Sequence, residues 1–349
     1  MTLALGPIML DAPLMQAGLA GYSDRAMRSV ARRRGCPYAV TEALLDITLL
    51  AGGKGLTNSI DIDDEDHPVA GQIMGSEPAQ VAAASAILAN HGYDVIDLNF
   101  ACPVKKVKNK ARGGWMLKDL PRGFGILRAV RDALPNYPLS VSLRRGFDDT
   151  PESAECFFKL CDEAWQLGFV AVRVHGRTVE QKYAGRSKRP FLAEAKAAYP
   201  DQIIWGSGDV FTAQDAVDML RETNVDGVWI ARGAIGNPWI FRDTIKLLAD
   251  EPITPPTVAE QRDALAEHFD IAMAIHGEQL AGRRMRKMGI KYSRFHPDHS
   301  FVKQRFINIR SLRDWQAVLD EHYTDDRPGV WPASEAVDEV NACAPTAAR

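Results

Sequence analysis

The sequence has little cysteine and none of the common metal-binding spacings. Its 349 residues include five cysteines and eight histidines, and neither CxxC nor HExxH occurs. This content excludes a disulfide-stabilised fold, a zinc ribbon, a thioredoxin-type redox motif and a zincin. We predict no structural metal, and we predict free thiols in a reducing compartment. The five positions are Cys36, Cys102, Cys156, Cys161 and Cys343.

Long apolar runs and an export signal are also lacking. No stretch reaches about 20 apolar residues, the length that a membrane-spanning helix needs. The first residues include no basic residue before Arg25, and Pro7 and Asp11 interrupt their apolar run. A secretory signal has a basic start and an unbroken apolar core. We therefore expect a cytoplasmic protein with no membrane partner.

The charge is small in sum but unevenly distributed. The formal net charge is −3, yet residues 282–310 contain nine Lys or Arg and a single Asp. Two further basic clusters lie at 105–112 and 182–189. Basic clusters in an otherwise acidic chain are typical of proteins that bind a polyanion. The alternative is that each cluster is only a solvated surface.

Short apolar runs alternate with amphipathic stretches over the first 245 residues. This alternation predicts an α/β protein with a parallel sheet and right-handed crossovers. Eight candidate strands predict closure into a (β/α)₈ TIM barrel, and the long segment 43–68 is expected to carry an extra helix. The candidate strands are 12–19, 38–42, 69–74, 94–98, 139–143, 170–175, 202–206 and 226–231. The candidate helices are 24–34, 78–91, 121–133, 152–167, 191–198 and 212–222.

The pattern changes after Pro238. A linker containing Pro252, Pro255 and Pro256 is followed by helical patterns only. We predict a barrel at 1–245, a small all-helical domain at 257–325 that carries the main basic cluster, and a tail at 326–349. The tail is rich in Pro and Ala, so we expect it to be loosely ordered.

Polar residues follow most of the candidate strands. In a TIM barrel such residues meet at one rim, where active sites lie. Two glycine-rich turns end the last two strands, and glycine lets backbone N–H groups approach a phosphate. The rim is therefore predicted to hold a phosphate-bearing cofactor such as FMN, whereas the absence of GxGxxG gives no separate Rossmann site. The rim residues are Gln72, Asn99, Cys102, Arg144, His175, Gly206-Ser207-Gly208-Asp209 and Ala231-Arg232-Gly233.

Cys102 is the one cysteine placed for chemistry. It follows the fourth strand and precedes Pro103, so it lies in a loop, with Lys105 and Lys106 close in sequence. Nearby positive charge tunes a thiol, which can act as a nucleophile or as a general acid. The other four cysteines are interpreted as buried and inert.

These segments together resemble the tRNA-dihydrouridine synthase family over about residues 10–323. The Cys-Pro-x-Lys-Lys-Val form is most similar to the bacterial B-type subgroup. The matching motifs are AGLAGYSD at 17–24, GQIMG at 71–75, NFACPVKKV at 99–107, HGRT at 175–178, GD at 208–209, RGA at 232–234 and NPWIF at 237–241.

The resemblance implies an FMN-binding barrel and a helical domain that holds tRNA. The implied reaction reduces the 5,6 double bond of a tRNA uridine to dihydrouridine. NADPH is the implied reductant of FMN, and Cys102 is the implied general acid at C5. We expect tRNA as the partner and a monomeric protein. The implied FMN-binding residues are Gly18, Leu19, Ala20, Gln72, Arg144, His175, Ser207, Gly208, Asp209, Ala231 and Arg232. The implied substrate-binding residues are Asn99, Lys105, Arg177, Arg283, Arg286 and Lys287.

The chain departs from the family pattern at three positions. Gly18 stands where Pro is usual, Ser142 where Lys is usual and Ser207 where Asn is usual. The usual Lys places a positive charge near the flavin, and Arg144 or Arg145 is expected to substitute for it. Two other functions stay open: an FMN barrel oxidoreductase of the dihydroorotate dehydrogenase type, and a non-catalytic RNA-binding paralogue with a weakened flavin site.

Overall fold

The structure is a computed structural model that describes residues 2–104 and 111–332. It opens with an antiparallel hairpin, β1 (Leu3–Leu5) and β2 (Ile8–Leu10). Leu5 and Leu10 are buried together with the inward-facing side chains of the strands that follow. The sequence analysis did not predict this hairpin, because three-residue strands carry almost no periodic signal.

Eight parallel strands form a closed barrel, as predicted. Pairing runs continuously around the ring and closes where Ala39 pairs with Val69. A two-residue strand, β5, extends the sheet by pairing with the end of β6. The barrel strands are β3 (Leu14–Gln16), β4 (Ala39–Val40), β6 (Val69–Met74), β7 (Val95–Phe100), β8 (Leu139–Arg144), β9 (Ala171–His175), β10 (Ile204–Ser207) and β11 (Gly227–Ile230), and β5 is Leu44–Leu45.

Helices cover the outside of the barrel. Their starts match the sequence signals: Thr150 caps one helix ahead of Pro151, and Thr212 forms a capping box with Asp215, which satisfies the free N–H groups of a first turn. The segment 43–68 contains the two short helices α2 and α3. The helices of this part are α1 (Arg25–Arg32), α2 (Asp46–Ala51), α3 (Lys54–Thr57), α4 (Pro78–His91), α5 (Leu120–Ala133), α6 (Pro151–Gln166), α7 (Arg189–Ala198) and α8 (Ala213–Thr223).

The remainder of the described chain is helical. The helix Val258–His276 packs against α1, and the ring of Trp239 meets the rings of Tyr292 and Phe295 edge-on. Glu267 pairs with Arg33 and Arg34 of the barrel. The helices are α9 (Trp239–Leu248), α10 (Val258–His276), α11 (Glu278–Tyr292), α12 (His299–Ile307) and α13 (Leu312–His322).

The boundaries 1–245, 257–325 and 326–349 stay predictions. Helix α9 spans the first of these boundaries. Within the predicted tail, Arg327 O accepts a hydrogen bond from the N–H of Val258, and the N–H of Val330 donates to Phe295 O. Residues 333–349, including Cys343, lie outside the described residues. None of the described helices is long and apolar enough to cross a membrane.

Candidate functional site

The carboxyl ends of four neighbouring strands bring polar side chains to one rim. Arg144 of β8, His175 of β9 and Ser207 of β10 pair in register, and Asn99 of β7 pairs with Ser142, two residues before Arg144. Residues two apart on a strand face the same side of the sheet, so the layer below this rim is formed by the residues two positions earlier. The structure thus groups the rim residues that the sequence analysis selected.

Cys102 is held at this rim by its neighbours. Asn99 Oδ1 accepts hydrogen bonds from the N–H groups of Ala101 at 3.1 Å and Cys102 at 3.0 Å. The carbonyl of Cys102 accepts from the N–H of Gly114 at 3.1 Å. Burial raises the pKa of the Cys102 thiol, although a hydrogen bond with the backbone of Val104 and the charge of Arg144 act the other way. A raised pKa keeps the thiol protonated at neutral pH, which suits a proton donor. Lys105 lies outside the described residues.

His175 presents one N–H donor. Its Nδ1 lies 3.1 Å from the backbone N–H of Arg177 and accepts from it, so in the neutral ring the proton is on Nε2. Burial, with the nearby charges of Arg144, Arg177 and Arg232, holds the pKa of His175 well below its ordinary value. His175 is therefore a neutral Nε2–H donor rather than an acid.

Arg144 ties two rim loops together. Its Nε donates to Ala101 O at 2.7 Å, and its Nη1 donates to the carbonyls of Thr178 and Lys182 at 2.8 and 2.6 Å. Burial lowers the pKa of Arg144 to about 10, so the group stays charged at neutral pH. The loop of Cys102 is thereby fixed to the loop that follows β9.

Tyr183 lies between two of the rim guanidiniums. The guanidinium carbons of Arg144 and Arg232 lie 5.6 and 5.5 Å from the centre of the Tyr183 ring, within the range of a cation–π contact. The sequence analysis did not select Tyr183 as a site residue. Its flanking arginines come from different strand ends, so no local pattern could reveal this contact.

Arg177 and Asp209 form a second cross-link of the rim. Arg177 Nη2 lies 2.7 and 2.8 Å from the two carboxylate oxygens of Asp209, and it also donates to Gly185 O. Arg232 Nη2 lies 3.4 Å from Asp209 Oδ1. The Arg177 side chain is thus engaged with the loops themselves. A substrate contact of Arg177, which the sequence analysis predicts, would have to use the rest of its guanidinium.

Steric contact explains why residue 208, in the first glycine-rich turn, is a glycine. Gly208 has a φ of +127°, and a Cβ there would lie 2.0 Å from Ser187 Oγ. Only glycine adopts this backbone without strain. Ser207 ends β10. Ala231 directly follows the neighbouring strand β11 and caps a single 3₁₀ turn that begins at Arg232. The turn at Gly208 therefore packs closely against Ser187.

Steric contact also explains why residue 18 is a glycine. A Cβ at this position would lie 2.1 Å from Thr41 O and 3.5 Å from Gln72 Oε1, so a proline or any larger residue would displace the loop. The N–H of Leu19 donates to Ser23 Oγ at 2.6 Å, and Ala20 is exposed. The loop 17–24 thus follows the backbone of β4 closely at the same end of the barrel.

Below the rim lies a charged pair that the sequence analysis missed. Arg173 of β9 and Asp97 of β7 face each other inside the barrel, with Arg173 Nη1 3.1 Å from Asp97 Oδ2. Arg145 instead bonds to Asp149 and Gln181. The positive charge beside Ser142 therefore belongs to Arg173, and the expectation that Arg145 substitutes for the usual Lys is not supported by its contacts.

The basic face of α11, defined as Arg283, Arg286 and Lys287, lies beside the barrel mouth. These residues are three and four apart, so they share one side of the helix. Lys287 Nζ lies 5.0 Å from the ring centre of Tyr22, in the loop 17–24. Within 2–104 and 111–332, no carboxylate pairs with Arg283 or Arg286. This face thus lies next to the loop 17–24 at the end of the barrel.

The charge of 282–310 is partly neutralised by partners elsewhere. Arg284 pairs with Asp24 at 3.0 Å, and Arg305 pairs with Glu321 at 2.5 Å. Arg294 is buried and donates to Ile235 O at 2.9 Å. The net charge of +8 along the sequence therefore overstates the free positive charge on the surface.

In the part of the chain that the structure covers, no group of His, Cys, Asp or Glu could hold a metal ion. The described free cysteines are Cys36, Cys102, Cys156 and Cys161.

Comparison with known proteins gives a consistent result. Residues 15–326 match the family model "Dihydrouridine synthase (Dus)". The chain is 32% identical over 322 residues to tRNA-dihydrouridine synthase B of Xanthomonas axonopodis pv. citri, covering 92% of this chain and 95% of that protein. It is 33% identical over 285 residues to tRNA-dihydrouridine synthase B of Pseudomonas aeruginosa PAO1, covering 81% and 84%. The fold matches a solved 2-naphthoyl-CoA reductase with a TM-score of 0.55 and 11% identity, over 97% of this chain and 72% of that one.

Proposed function

Because the chain belongs to the dihydrouridine synthase family, we propose that it reduces the 5,6 double bond of specific uridines in tRNA to dihydrouridine. We further propose FMN as its flavin, NADPH as the reductant and Cys102 as the general acid. The proposal is supported by two relatives named tRNA-dihydrouridine synthase B that are similar along most of their length. The cytoplasmic location and the monomeric state stay predictions.

The residues at the rim fit FMN. Gly208 lets the backbone after β10 pass close to Ser187, and the backbone N–H groups of a glycine-rich turn suit a phosphate group. Arg144 and Arg232 add positive charge there, and His175 adds a neutral N–H donor. We assign FMN binding to these residues, to Gln72, Ser207, Asp209 and Ala231, and to Gly18, Leu19 and Ala20 of the first loop. Bound FMN, once reduced by NADPH, supplies the hydride to C6 of uracil.

The observation that carries the proposal is the position of Cys102 at the rim. Cys102 lies on a loop fixed by Asn99, Arg144 and Gly114, and burial raises its pKa. The Sγ–H bond breaks and a C5–H bond of the base forms. The thiol becomes a thiolate, and the ring has then gained a hydride at C6 and a proton at C5. The Nε2–H of His175 or the free part of the Arg177 guanidinium stabilises negative charge on the uracil carbonyl. Asn99 holds the base or the flavin edge.

The base must leave the folded tRNA to reach the rim. A uridine stacked inside RNA is out of reach of a barrel mouth, so it must be turned out into the pocket. The basic face of α11 lies beside that mouth and would hold the phosphate backbone while the base enters. Lys105, by resemblance, would join these substrate contacts.

The test compares Cys102→Ala with Cys161→Ala, a buried cysteine of α6 outside the rim. Flavin reduced by NADPH is mixed with unmodified tRNA, and its reoxidation is followed by stopped flow. Cys102→Ala should retain FMN and its reduction by NADPH, yet lose about 10²–10⁴-fold in reoxidation rate, the usual contribution of a general acid. Cys161→Ala should reoxidise like the parent protein.

Two results would contradict the proposal. Parent-like reoxidation of Cys102→Ala would show that this thiol only packs its loop. A parent protein that binds tRNA but never reoxidises with it would favour the non-catalytic RNA-binding alternative. The second arm is genetic: tRNA from cells lacking the gene should have lost dihydrouridine at the modified positions.

A further inference from the structure

The ion pair of Arg173 and Asp97 lies one layer below the rim, inside the barrel. Arg173 is 1% exposed and Asp97 is fully buried. Arg173 Nη2 donates to Ser140 Oγ at 3.0 Å, and Ser140 Oγ donates in turn to Asp97 Oδ1 at 2.8 Å. Neither Nε nor Nη1 of Arg173 has a hydrogen-bond partner among the described residues, so Nη1 contacts Asp97 as an ion pair only. The carboxylate is thus enclosed by donors, while the guanidinium is only partly satisfied.

Stability alone does not account for this pair. Removing two charges from water costs several kcal/mol per ion, and apolar residues of similar volume often replace such pairs without loss. The guanidinium lies 6.0 Å from the Tyr38 ring centre and 5.7 Å from that of Trp229, so the site could have been closed by apolar packing. A partly satisfied buried charge next to a candidate active site points to a role in that site.

Asp97 determines the direction of a hydrogen-bond chain that ends at Cys102. A carboxylate oxygen only accepts, so Gln72 turns its Nε2 toward Asp97 Oδ2, at 2.6 Å. Gln72 Oε1 then faces Asn99 and accepts from Asn99 Nδ2 at 2.8 Å. This leaves Asn99 Oδ1 for the N–H groups of Ala101 and Cys102.

The reversed chain would fail. If Gln72 turned its amide over, Asn99 would have to turn over as well. Its NH₂ group would then face the two backbone N–H groups of Ala101 and Cys102, donor against donor. Unpaired buried donors cost about 1–3 kcal/mol each. The negative charge of Asp97, balanced by Arg173, thus favours from one end of the chain the same amide orientations that the two backbone N–H groups favour from the other.

The position of Arg173 in the sheet relates it to Ser142. It pairs in register with Ser142 of the neighbouring strand, and Ser142 Oγ donates to the same Asp97 Oδ2 at 2.9 Å. Ser142 is the position where the family usually has Lys. The two strands therefore offer two places from which a cation can reach Asp97, and this chain uses the one on β9.

We infer that Arg173 is a positioning residue of this enzyme: it balances Asp97 in place of a lysine at 142, and through Gln72 and Asn99 it orients the loop of Cys102. The inference rests on the proposed function for its catalytic consequence. Its structural consequence, the orientation of the Cys102 thiol and of the Gln72 amide, can be measured without turnover.

The test moves the charge between the two strands. Arg173→Thr and Arg173→Met remove it, and Ser142→Lys/Arg173→Thr restores it from β8. Arg131→Met is the matched control, since Arg131 is an arginine of α5 whose hydrogen bonds among the described residues go to backbone carbonyls. Two readouts need no turnover: the iodoacetamide alkylation rate of the Cys102 peptide by mass spectrometry, and FMN affinity of the flavin-stripped protein. The third readout is kcat with KM for tRNA.

Loss of the charge should change the Cys102 alkylation rate and weaken FMN binding. kcat should fall about 10- to 100-fold, the usual cost of losing a group that orients active-site residues, with KM for tRNA unchanged. The double variant Ser142→Lys/Arg173→Thr should recover most of all three. Equal values for the single variants and the parent, or a double variant no better than Arg173→Thr, would overturn the inference.

Folding failure does not leave the question open. If Arg173→Met and Arg173→Thr do not fold, Asp97→Asn/Arg173→Met removes both charges and leaves none unpaired. The asparagine gives Gln72 Nε2 an uncharged acceptor in place of the carboxylate, so only the N–H groups of Ala101 and Cys102 still fix the direction of the chain. The same losses are therefore expected, and parent-like alkylation and FMN affinity would refute the inference. A parent that binds FMN but reduces no tRNA uridine would overturn the proposed function alone, because alkylation and FMN affinity still report on Arg173.

Discussion

Asp24 joins the barrel to the C-terminal helices, and its replacement gives a sharp test of that contact. It caps α1 by accepting from the N–H of Met27 at 3.1 Å. Its Oδ2 also lies 2.8 Å from His276 Nε2 and 3.0 Å from Arg284 Nη1. Burial alone would raise the pKa of Asp24, but the hydrogen bond from His276 and the charge of Arg284 keep that pKa below its ordinary value of 3.8.

Two variants separate the cap from the ion pair. Asp24→Asn keeps a capping oxygen and removes the charge, whereas Asp24→Ala removes both. Breaking a buried pair costs about 3–5 kcal/mol, and we expect about 3 kcal/mol because Arg284 is 26% exposed and can turn to water. Loss of the cap in Asp24→Ala should add about 1 kcal/mol.

The pH dependence follows from the direction of the pKa shift. Folding lowers this pKa, so the carboxylate stabilises the fold fully above its unfolded pKa of about 3.9. That stabilisation is lost as pH falls through the folded value. Urea unfolding followed by tryptophan fluorescence should therefore show a deficit for Asp24→Asn at pH 7 that shrinks below pH 4. A deficit independent of pH, or none at pH 7, would refute the ion-pair argument.

Two further predictions concern the ligands. Arg232→Ala should weaken FMN binding by about 1.5–3 kcal/mol, the value of a charge-assisted contact. FMN retention is measured by flavin absorbance after dialysis, with Arg189→Ala on the outer helix α7 as the control. Unchanged retention would contradict the placement of FMN at Arg232. Replacing all three residues of the basic face of α11 with Ala should weaken tRNA binding and lower the salt slope by about one unit per lost phosphate contact. Filter binding across a salt series checks this against Arg128→Ala, and an unchanged slope would mean that the face is only solvated.

The barrel could be predicted because its strands are buried on both sides. Such strands form continuous apolar runs, and each predicted strand overlaps an observed one, even where only Ala39–Val40 is regular. The hairpin of β1 and β2 and the short β5 were not predicted, because two or three residues are too few to show a hydrophobic period. β1 and β2 pair with each other across a short turn, whereas β5 depends on β6, which lies farther along the chain.

The rim could be located from strand ends, but its internal bonds could not. Cys102 and His175 follow strands directly, so topology alone brings them together. The cross-links Arg177–Asp209 and Arg144–Thr178 depend on side-chain directions that only the folded loops define. The charge count failed for the same reason, since Asp24 and Glu321 neutralise arginines that are distant in sequence.

Departures from a family pattern gain meaning only from their spatial neighbours. Gly18 lacks a side chain because the carbonyl of Thr41 occupies the space that a Cβ would need. Ser142 lacks a charge, yet its register partner Arg173 reaches the same carboxylate. In both cases a neighbouring segment explains the altered residue, because the side chains inside a barrel pack in shared layers. Thr41 O fills the space beside Gly18, and Arg173 supplies the charge beside Ser142. A substitution that looks like loss of a flavin-site lysine along the chain is therefore a transfer of charge across one strand pair.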